Sequence, residues 1–379
     1  MENNVKFFII TTVSDSLPFF KGQLNVLKKY FSMSLISNPG VHLEEMSKEY
    51  NVSAFPIKME REISPWKDLK SLFSLYKLFQ KEKPMVVHGN TPKASLLSMI
   101  AARLAGVPVR IYYVHGLRYE SVVGKKKKLL MLMEKVSCYF ATNIIAVSKG
   151  TQEQLKSDNI TSKEIELIWN GSINGIDTAY FDPDKVNKAE IERITEKDFV
   201  FGFVGRIVKD KGIEELVCAF LELLKDNKNI KLLILGDFEE NVNLSPEIVD
   251  KIHNHPNIVY VGRQQDVRPF FKIMDVFVLP SYREGFGMVL IEAGAMKIPS
   301  IVTNISGCNE VIINNKTGFL IENKNKKDLY SKMKYIIDNQ DMINEIGENA
   351  RISVEERYIQ NKLWDITKET YLKILNKYV

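Results

Sequence analysis

Short apolar runs rich in β-branched and aromatic residues alternate along this chain with longer stretches whose apolar positions recur every three or four residues. The first pattern is that of buried parallel strands, the second that of amphipathic helices packed on a sheet. In the first half it predicts strands over Val5–Thr12, Met85–Gly89, Arg110–His115, Asn143–Ser148 and Glu166–Trp169. Helices are expected over Leu24–Phe31, Asp68–Lys81, Lys93–Ala105 and Lys126–Phe140. The periodicity stops at Asn170-Gly-Ser-Ile-Asn-Gly-Ile-Asp177, where turn residues gather and a domain boundary is expected.

The pattern restarts with strands expected at Phe199–Val204, Lys231–Gly236, Ile258–Gly262, Val276–Pro280, Ser300–Thr303 and Gly318–Ile321. Helices between them are expected to begin near Gly212, Val267, Glu292, Gly307 and Asp328. From Met342 onward the chain reads as amphipathic helix, with Trp364, Tyr371 and Leu372 available for docking. Such alternation predicts the α/β class, here two doubly wound parallel sheets of Rossmann type in tandem. Residues 1–175 would form the first domain, joined by a final helix over about 360–379, and residues 176–359 the second. Open parallel sheets bind ligands at the carboxyl ends of their strands, so two of them set face to face would share one cleft.

A chain of 379 residues suits two such domains. Its 45% hydrophobic and 26% charged content is that of an ordinary globular protein. The longest apolar stretches, Ala94–Ala105 and Leu129–Val136, are too short and too charged to predict a transmembrane helix. Met1–Ile10 reads as a first strand and not as a signal peptide. Cys138, Cys218 and Cys308 have neither metal-ligand spacing nor a disulfide framework, which suits buried thiols in a reducing cytoplasm. His253 and His255 have no third ligand nearby and read as loop residues. The net charge of +5 is uneven: residues 1–170 hold 24 basic and 15 acidic side chains, the remainder 28 and 32. A basic first half implies an anionic partner, and without a nucleic-acid motif a membrane surface or an anionic lipid fits better than nucleic acid.

The candidate chemistry centres on Glu284-Gly-Phe-Gly-Met-Val-Leu-Ile-Glu292, at an expected strand-to-helix junction. A glycine-bearing helix start leaves backbone N–H groups free for a phosphate or a sugar hydroxyl. The flanking carboxylates would repel a phosphate, so hydroxyls are their targets. Upstream, Arg206 ends a strand and Lys211 precedes a helix. Guanidinium and ammonium groups at such a point suit a diphosphate, bidentate from Arg and as a point charge from Lys. A solvated basic loop is the alternative. Together the two segments point to a nucleotide-sugar.

Five segments occur in order: Gly205-Arg206…Lys211-Gly212, Leu235-Gly-Asp237, Val261-Gly-Arg263, Asp275-Val-Phe-Val-Leu-Pro-Ser281 and Glu284-Gly-Phe-Gly…Glu292. This series resembles glycosyltransferase family 4, retaining enzymes of the GT-B fold. The resemblance spans nearly all of the chain, is specific over 200–310 and is looser over 1–170. It implies a first domain for the acceptor and a second for the donor. It also implies that Glu292 binds the ribose hydroxyls and that Glu284 lies at the donor sugar. The amides of Gly285, Phe286, Gly287 and Met288 would surround sugar hydroxyls and phosphate, with Val289 and Leu290 near diphosphate and ribose. Arg206 and Lys211 would grip the diphosphate and Arg263 would lie near the base, usually uracil in the family. His115, at a strand's carboxyl end, matches a histidine that approaches the donor sugar, while a hydrogen-bonded core histidine is the competing reading.

One departure concerns the first loop, Thr11-Thr-Val-Ser-Asp-Ser-Leu-Pro-Phe-Phe-Lys-Gly22, which lacks the glycine pair of many members. Ser14, Ser16 or Lys21 would have to substitute there, or the loop would serve the acceptor. No cofactor or metal is expected, because the Arg/Lys clamp supplies the positive charge and Asp182-Pro-Asp184 reads as a turn. Retention would follow from attack on the face from which the diphosphate leaves, with a phosphate oxygen helping to take the acceptor proton.

Lys125, Lys126, Lys127 and Lys128 precede an amphipathic helix and suit an anionic membrane surface, with Phe19, Phe20 and Trp66 as apolar inserts. A solvated helix start over a Leu/Met core face is the alternative. His88-Gly-Asn-Thr-Pro-Lys93 and Tyr113-Val-His-Gly-Leu-Arg118 resemble bacterial surface-polysaccharide enzymes, implying an undecaprenyl-diphosphate-linked acceptor on the cytoplasmic face of the membrane. Lys93, Arg118 and Lys125–Lys128 are then the acceptor-phosphate candidates. A UDP-sugar epimerase, a transferase with a small soluble acceptor and a catalytically silent glycan- or nucleotide-binding subunit are the competing functions.

Overall fold

The computed structural model describes residues 5–239 and 243–378. The chain divides into two compact units, Met1–Asn174 together with Gln360–Val379, and Gly175–Ile359.

The first unit holds seven strands: β1 (Lys6–Ile10), β2 (Ser32–Ser37), β3 (Ser53–Pro56), β4 (Val86–Gly89), β5 (Val109–Val114), β6 (Asn143–Ala146) and β7 (Ile165–Leu167). They pair in parallel in the order β3-β2-β1-β4-β5-β6-β7. β1 and β4 are buried on both faces, as inner strands of a parallel sheet are, and β1 accordingly reads as an apolar run after Lys6. The helices are α1 (Gln23–Leu27), α2 (Val41–Tyr50), α3 (Pro65–Glu82), α4 (Pro92–Leu104), α5 (Gly124–Phe140) and α6 (Lys149–Ser157). Pro65 and Pro92 stand at the first turns of α3 and α4, where a missing N–H loses nothing. Right-handed crossovers put α3, α4 and α5 on one face of the sheet, and α4 packs against both neighbours. Phe8, Ile10, Leu75, Phe79, Tyr112 and Cys138 belong to the core beneath them.

Two of these strands have no counterpart in the sequence pattern. β2 alternates serine with Met, Leu and Ile, and β3 is a four-residue edge strand ending in proline, so neither is a β-branched run. The helix expected over Leu24–Phe31 shortens to α1.

The second unit contains β8 (Phe199–Val204), β9 (Ile230–Leu235), β10 (Ile258–Gly262), β11 (Val276–Leu279), β12 (Ser300–Thr303) and β13 (Gly318–Ile321). Their parallel order is β10-β9-β8-β11-β12-β13. Its helices are α7 (Ile213–Leu223), α8 (Pro246–Asn254), α9 (Arg268–Phe271), α10 (Met288–Ala295), α11 (Lys326–Asp338) and α12 (Ile343–Tyr358). In each sheet the strand order reverses once, between β1 and β4 and between β8 and β11, and such switch points open ligand crevices at the strands' carboxyl ends.

Three expectations are corrected here. No helix starts at Gly307, which lies in a run of turns with φ +78°. α10 begins four residues before Glu292, at Met288. His253 lies on α8, its ring stacked on Phe238 at 5.3 Å.

The tail is broken at Ile359, whose ψ of 129° ends α12. α13 (Gln360–Leu375) follows and belongs to the first unit. It buries Leu363, Thr367, Tyr371 and Ile374, and Trp364 Nε1 donates to Asn174 Oδ1 at 2.7 Å. Cys138 and Cys308 are buried and Cys218 is half-buried, all three as free thiols.

Candidate active site

In the second unit the loops leaving β8 and β11 are fastened together. After Gly205 and Arg206, residues Lys209–Lys211 make one 3-10 turn and Gly212 takes a left-handed φ of +68° before α7. A Cβ at Gly212 would lie 2.8 Å from the carbonyl carbon of Pro280, so only glycine lets the two loops approach so closely. Tyr282 N then donates to Asp210 O at 2.8 Å, and Arg283 Nε meets Asp210 Oδ2 at 3.2 Å. Tyr282 Oη donates to Glu215 at 2.6 Å, and burial with that carboxylate raises the phenol's pKa. At the head of this seam Lys211 Nζ forms an ion pair with Glu284 Oε1, both side chains being mostly buried.

The segment Glu284–Gly287 then crosses to α10. Phe286 is a buried anchor, its ring edge-on to Tyr358 at 5.4 Å. Gly287 N donates to Gly307 O at 3.0 Å and Met288 N to Phe286 O at 2.9 Å. The amides of Gly287 and Met288 are therefore engaged within the protein, unlike the sequence expectation. Those of Gly285, Phe286 and Val289 have no partner among the described residues. Gly307 supports the segment from behind: a Cβ there would come within 2.8 Å of Glu284 O and 2.9 Å of Gly285 O. Leu290 is buried and Val289 half-buried.

Glu292 lies in the second turn of α10 rather than at its start. Its carboxyl has neither a hydrogen bond nor an ion pair among the described residues, and burial pushes its pKa up to about 7. A carboxyl in that condition is short of donors, which ligand hydroxyls can provide.

Arg206 and Lys211 have different carboxylate partners. Arg206 pairs with Glu239 in a half-exposed contact. Arg263 is exposed just beyond β10, after Gly262 at φ +68°.

In the first unit the switch point is bound by threonines: Thr12 N donates to Thr91 Oγ1 at 2.8 Å and Ala94 N to Thr12 Oγ1 at 3.2 Å. The first loop folds into a 3-10 segment, Ser14–Phe20. This buries Ser14 and Phe20, so Phe20 is a core residue and not an apolar insert, while Phe19 stays exposed. Lys21 pairs loosely with Glu49 at 3.9 Å.

His115 follows β5 and rests on the Tyr113 ring, with centroids 4.4 Å apart. Its Nε2 lies 3.1 Å from Oδ1 of Asn90, at the end of β4. Burial pushes its pKa down to about 3, so the ring is neutral. Tyr371 of α13 bonds His88 Nε2 at 2.9 Å behind this group.

Lys93 is not among the accessible cations: it is buried, bonded to the Glu62 carbonyl and paired with Asp68 at 2.7 Å. Arg118 pairs with Glu62 at 3.0 Å. Lys125, Lys126 and Lys128 are exposed at the start of α5, and Lys127 is half-buried near the Tyr119 ring. Trp66, expected as an apolar insert, is exposed on α3, where with Leu69 and Phe73, which the sequence reading did not name, it forms an apolar stripe at helical spacing. Lys67, Lys70 and Lys77 flank it.

Asn90, Gly307 and Glu239 are residues of these sites that the sequence did not single out. Of the three, only Asn90 carried a usable signal, as a polar residue at a strand's carboxyl end. Asp182-Pro-Asp184 is a turn in which Asp182 accepts from Asp184 N at 3.0 Å. Among the described residues no three His, Cys, Asp or Glu side chains gather as a metal site. Nor is any helix among them long and apolar enough to cross a membrane.

Comparison with known proteins agrees with this architecture. A family model described as glycosyl transferases group 1 matches residues 184–353, and one described as glycosyl transferase 4-like matches 13–148. The capsular polysaccharide biosynthesis glycosyltransferase CapM of Staphylococcus aureus is 37% identical over 99% of this chain and 98% of its own. An Escherichia coli UDP-Gal:alpha-D-GlcNAc-diphosphoundecaprenol alpha-1,3-galactosyltransferase is 30% identical over 92% of this chain and 90% of its own. The crystal structure of a glycosyltransferase from Rickettsia africae ESF-5 superposes with a TM-score of 0.78 at 23% identity, covering 98% of this chain and 99% of that one. The two Rossmann-like sheets are those of the GT-B fold.

Proposed function

We propose the following function for this chain, which belongs to the group 1, family 4-like glycosyltransferases: it moves a sugar from a UDP-sugar to a hydroxyl of a lipid-diphosphate-linked saccharide in surface-polysaccharide assembly. The reaction proceeds with retention and without a metal ion. The observation that carries the reading is the Lys211–Glu284 pair beside three amides and the Glu292 carboxyl that have no partner among the described residues, all in one unit. Glu292 takes the ribose hydroxyls. The amides of Gly285, Phe286 and Val289 face phosphate or sugar oxygens, and Arg263 lies toward the base. Glu284, held by Lys211, accepts from the hydroxyls of the sugar being moved. Lys211 and Arg206 offset the negative charge that grows on the departing diphosphate. Arg206 is free to do this because a half-exposed pair such as Arg206–Glu239 contributes only about 0–1 kcal/mol.

The acceptor belongs to the first unit in this reading, and the protein works peripherally on the anionic inner face of the cell membrane. The support is the set of exposed cations Lys125, Lys126 and Lys128 on the same sheet face as the Trp66–Leu69–Phe73 stripe. The two relatives' names, a capsule enzyme and a transferase to diphosphoundecaprenol, agree with a lipid-linked acceptor.

The test is a thermal-shift panel of UDP-, GDP- and dTDP-sugars with and without a chelator, followed by transfer assays to lipid-linked saccharides. Stabilisation by UDP species that survives chelation, and sugar transfer with retained configuration, is expected. Epimer formation from a UDP-sugar without any acceptor would overturn the transferase assignment. Transfer to a small soluble acceptor alone would overturn the lipid.

A further inference from the structure

Asn90 is buried at the carboxyl end of β4, and its amide has one possible orientation. Nδ2 lies 3.3 Å from the carbonyl oxygen of Ile10 and 3.0 Å from that of His88. Carbonyl oxygens only accept, so the –NH2 end must face them. The other end, Oδ1, is then the atom 3.1 Å from Nε2 of His115. An amide oxygen also only accepts, and Nε2 must therefore carry a hydrogen. A neutral imidazole has one N–H, which leaves Nδ1 bare. Nδ1 is buried and has no hydrogen-bond partner. A second proton there would put an unreceived N–H and a charge on a buried atom.

We propose that Asn90 is a positioning residue that holds His115 as the neutral Nε2–H tautomer, making the ring a fixed, uncharged group and not a proton carrier. The titratable groups nearby agree: Tyr113 from β5 packs on the ring, and His88 from β4 lies on the far side of Tyr113, in contact with Tyr371 of α13. No carboxylate pairs with His115 among the described residues to draw a proton onto it. The acceptor proton must then leave by another route, and in the transferase reading the departing diphosphate is the group that takes it. Only this last step, and the activity measurements below, rest on the transferase reading.

The test is long-range 1H–15N spectroscopy on the full chain with ring-labelled histidine. The chain has five histidines, and the His115 signals are identified as those lost in His115→Gln. The expected spectrum shows hydrogen on Nε2 and a bare Nδ1, unchanged between about pH 5 and 8, where a free histidine titrates. Hydrogen on Nδ1, or protonation within that window, overturns the proposal. Asn90→Ala should give mixed tautomers and lower kcat by about ten- to a hundredfold with little change in donor KM. An unchanged tautomer in that variant also overturns it. Asn90→Asp places a carboxylate against Nε2 and should make His115 titrate near neutrality, adding an ionisation to the pH–rate profile. Should Asp disturb folding, Asn90→Ser keeps the test open by removing the fork without adding charge. If the tautomer is as stated but no nucleotide-sugar is turned over, the transferase reading fails and the tautomer assignment stands.

Discussion

Lys211 and Glu284 stand 73 residues apart in sequence and meet as an ion pair with only 17% and 13% of their side chains exposed. Taking away one partner leaves the other charge half-desolvated. Lys211→Ala and Glu284→Ala are each expected to lose about 1–3 kcal/mol in chemical denaturation. The double variant should lose less than the sum of the two. If Lys211 also stabilises the leaving diphosphate, its removal should lower kcat by about a hundredfold or more. Additive stability effects in the double-mutant cycle would show that the pair is not formed in solution.

If Glu292 takes the ribose, nucleotide binding should depend on pH. Its folded pKa of about 7 exceeds the ordinary 4.5, so the group opposes folding as pH rises from about 4.5 and does so fully above 7. That shift corresponds to at most about 3 kcal/mol. Glu292→Gln should therefore raise Tm at pH 8 and leave it nearly unchanged at pH 4. In the wild type, ribose hydroxyls donating to the carboxylate would pull its pKa down. UDP binding should then release up to one proton near pH 6.5, readable by calorimetry in buffers of different ionisation enthalpy. Binding without proton release would separate Glu292 from the ribose.

Glu239 competes with any diphosphate for Arg206. Glu239→Gln should tighten UDP binding severalfold at low salt, an advantage that shrinks as salt screens the exposed charges. Equal affinity in variant and wild type at low salt would mean that Arg206 does not reach the nucleotide.

Gly307 is a steric requirement of the loop in front of it. Its φ of +78° and its approach to the carbonyls of Glu284 and Gly285 leave no room for a methyl group. Gly307→Ala should cost about 1–3 kcal/mol of stability and lower activity by more than that loss explains, because Glu284 moves with the loop. A variant of normal activity would uncouple Glu284 placement from this turn.

On the first unit, replacing Trp66 and Phe73 by serine should weaken flotation with anionic vesicles even in low salt. Changing Lys125, Lys126 and Lys128 to glutamine should remove the salt-sensitive part, roughly 1 kcal/mol per charge. Wild-type protein that ignores such vesicles would remove the membrane from the proposal.

Strand positions were largely legible, because β8, β10, β12 and β13 are short apolar runs that keep their expected limits. β2 and β3 were hidden by serines and a proline, whose place in a sheet depends on neighbours far along the chain. The Met288-Val-Leu-Ile start of α10 looks like strand and carries no side-chain cap. Its helicity comes from packing and not from local signals. Arg206, Lys211 and Glu284 could be named from their order, but not their pairing, which sends Arg206 to Glu239 and Lys211 to Glu284. Lys93 shows the same limit. A lysine after a proline at a helix start reads as exposed, and its partners Asp68, on another helix, and the Glu62 carbonyl explain its burial.

The first unit is discontinuous, since all of Gly175–Ile359 is synthesised before α13. Until α13 leaves the ribosome, Phe7, His88 and Tyr113 lack the Tyr371 ring that covers them. The second unit is therefore synthesised whole while the first is still incomplete, and the unit begun first is completed after it.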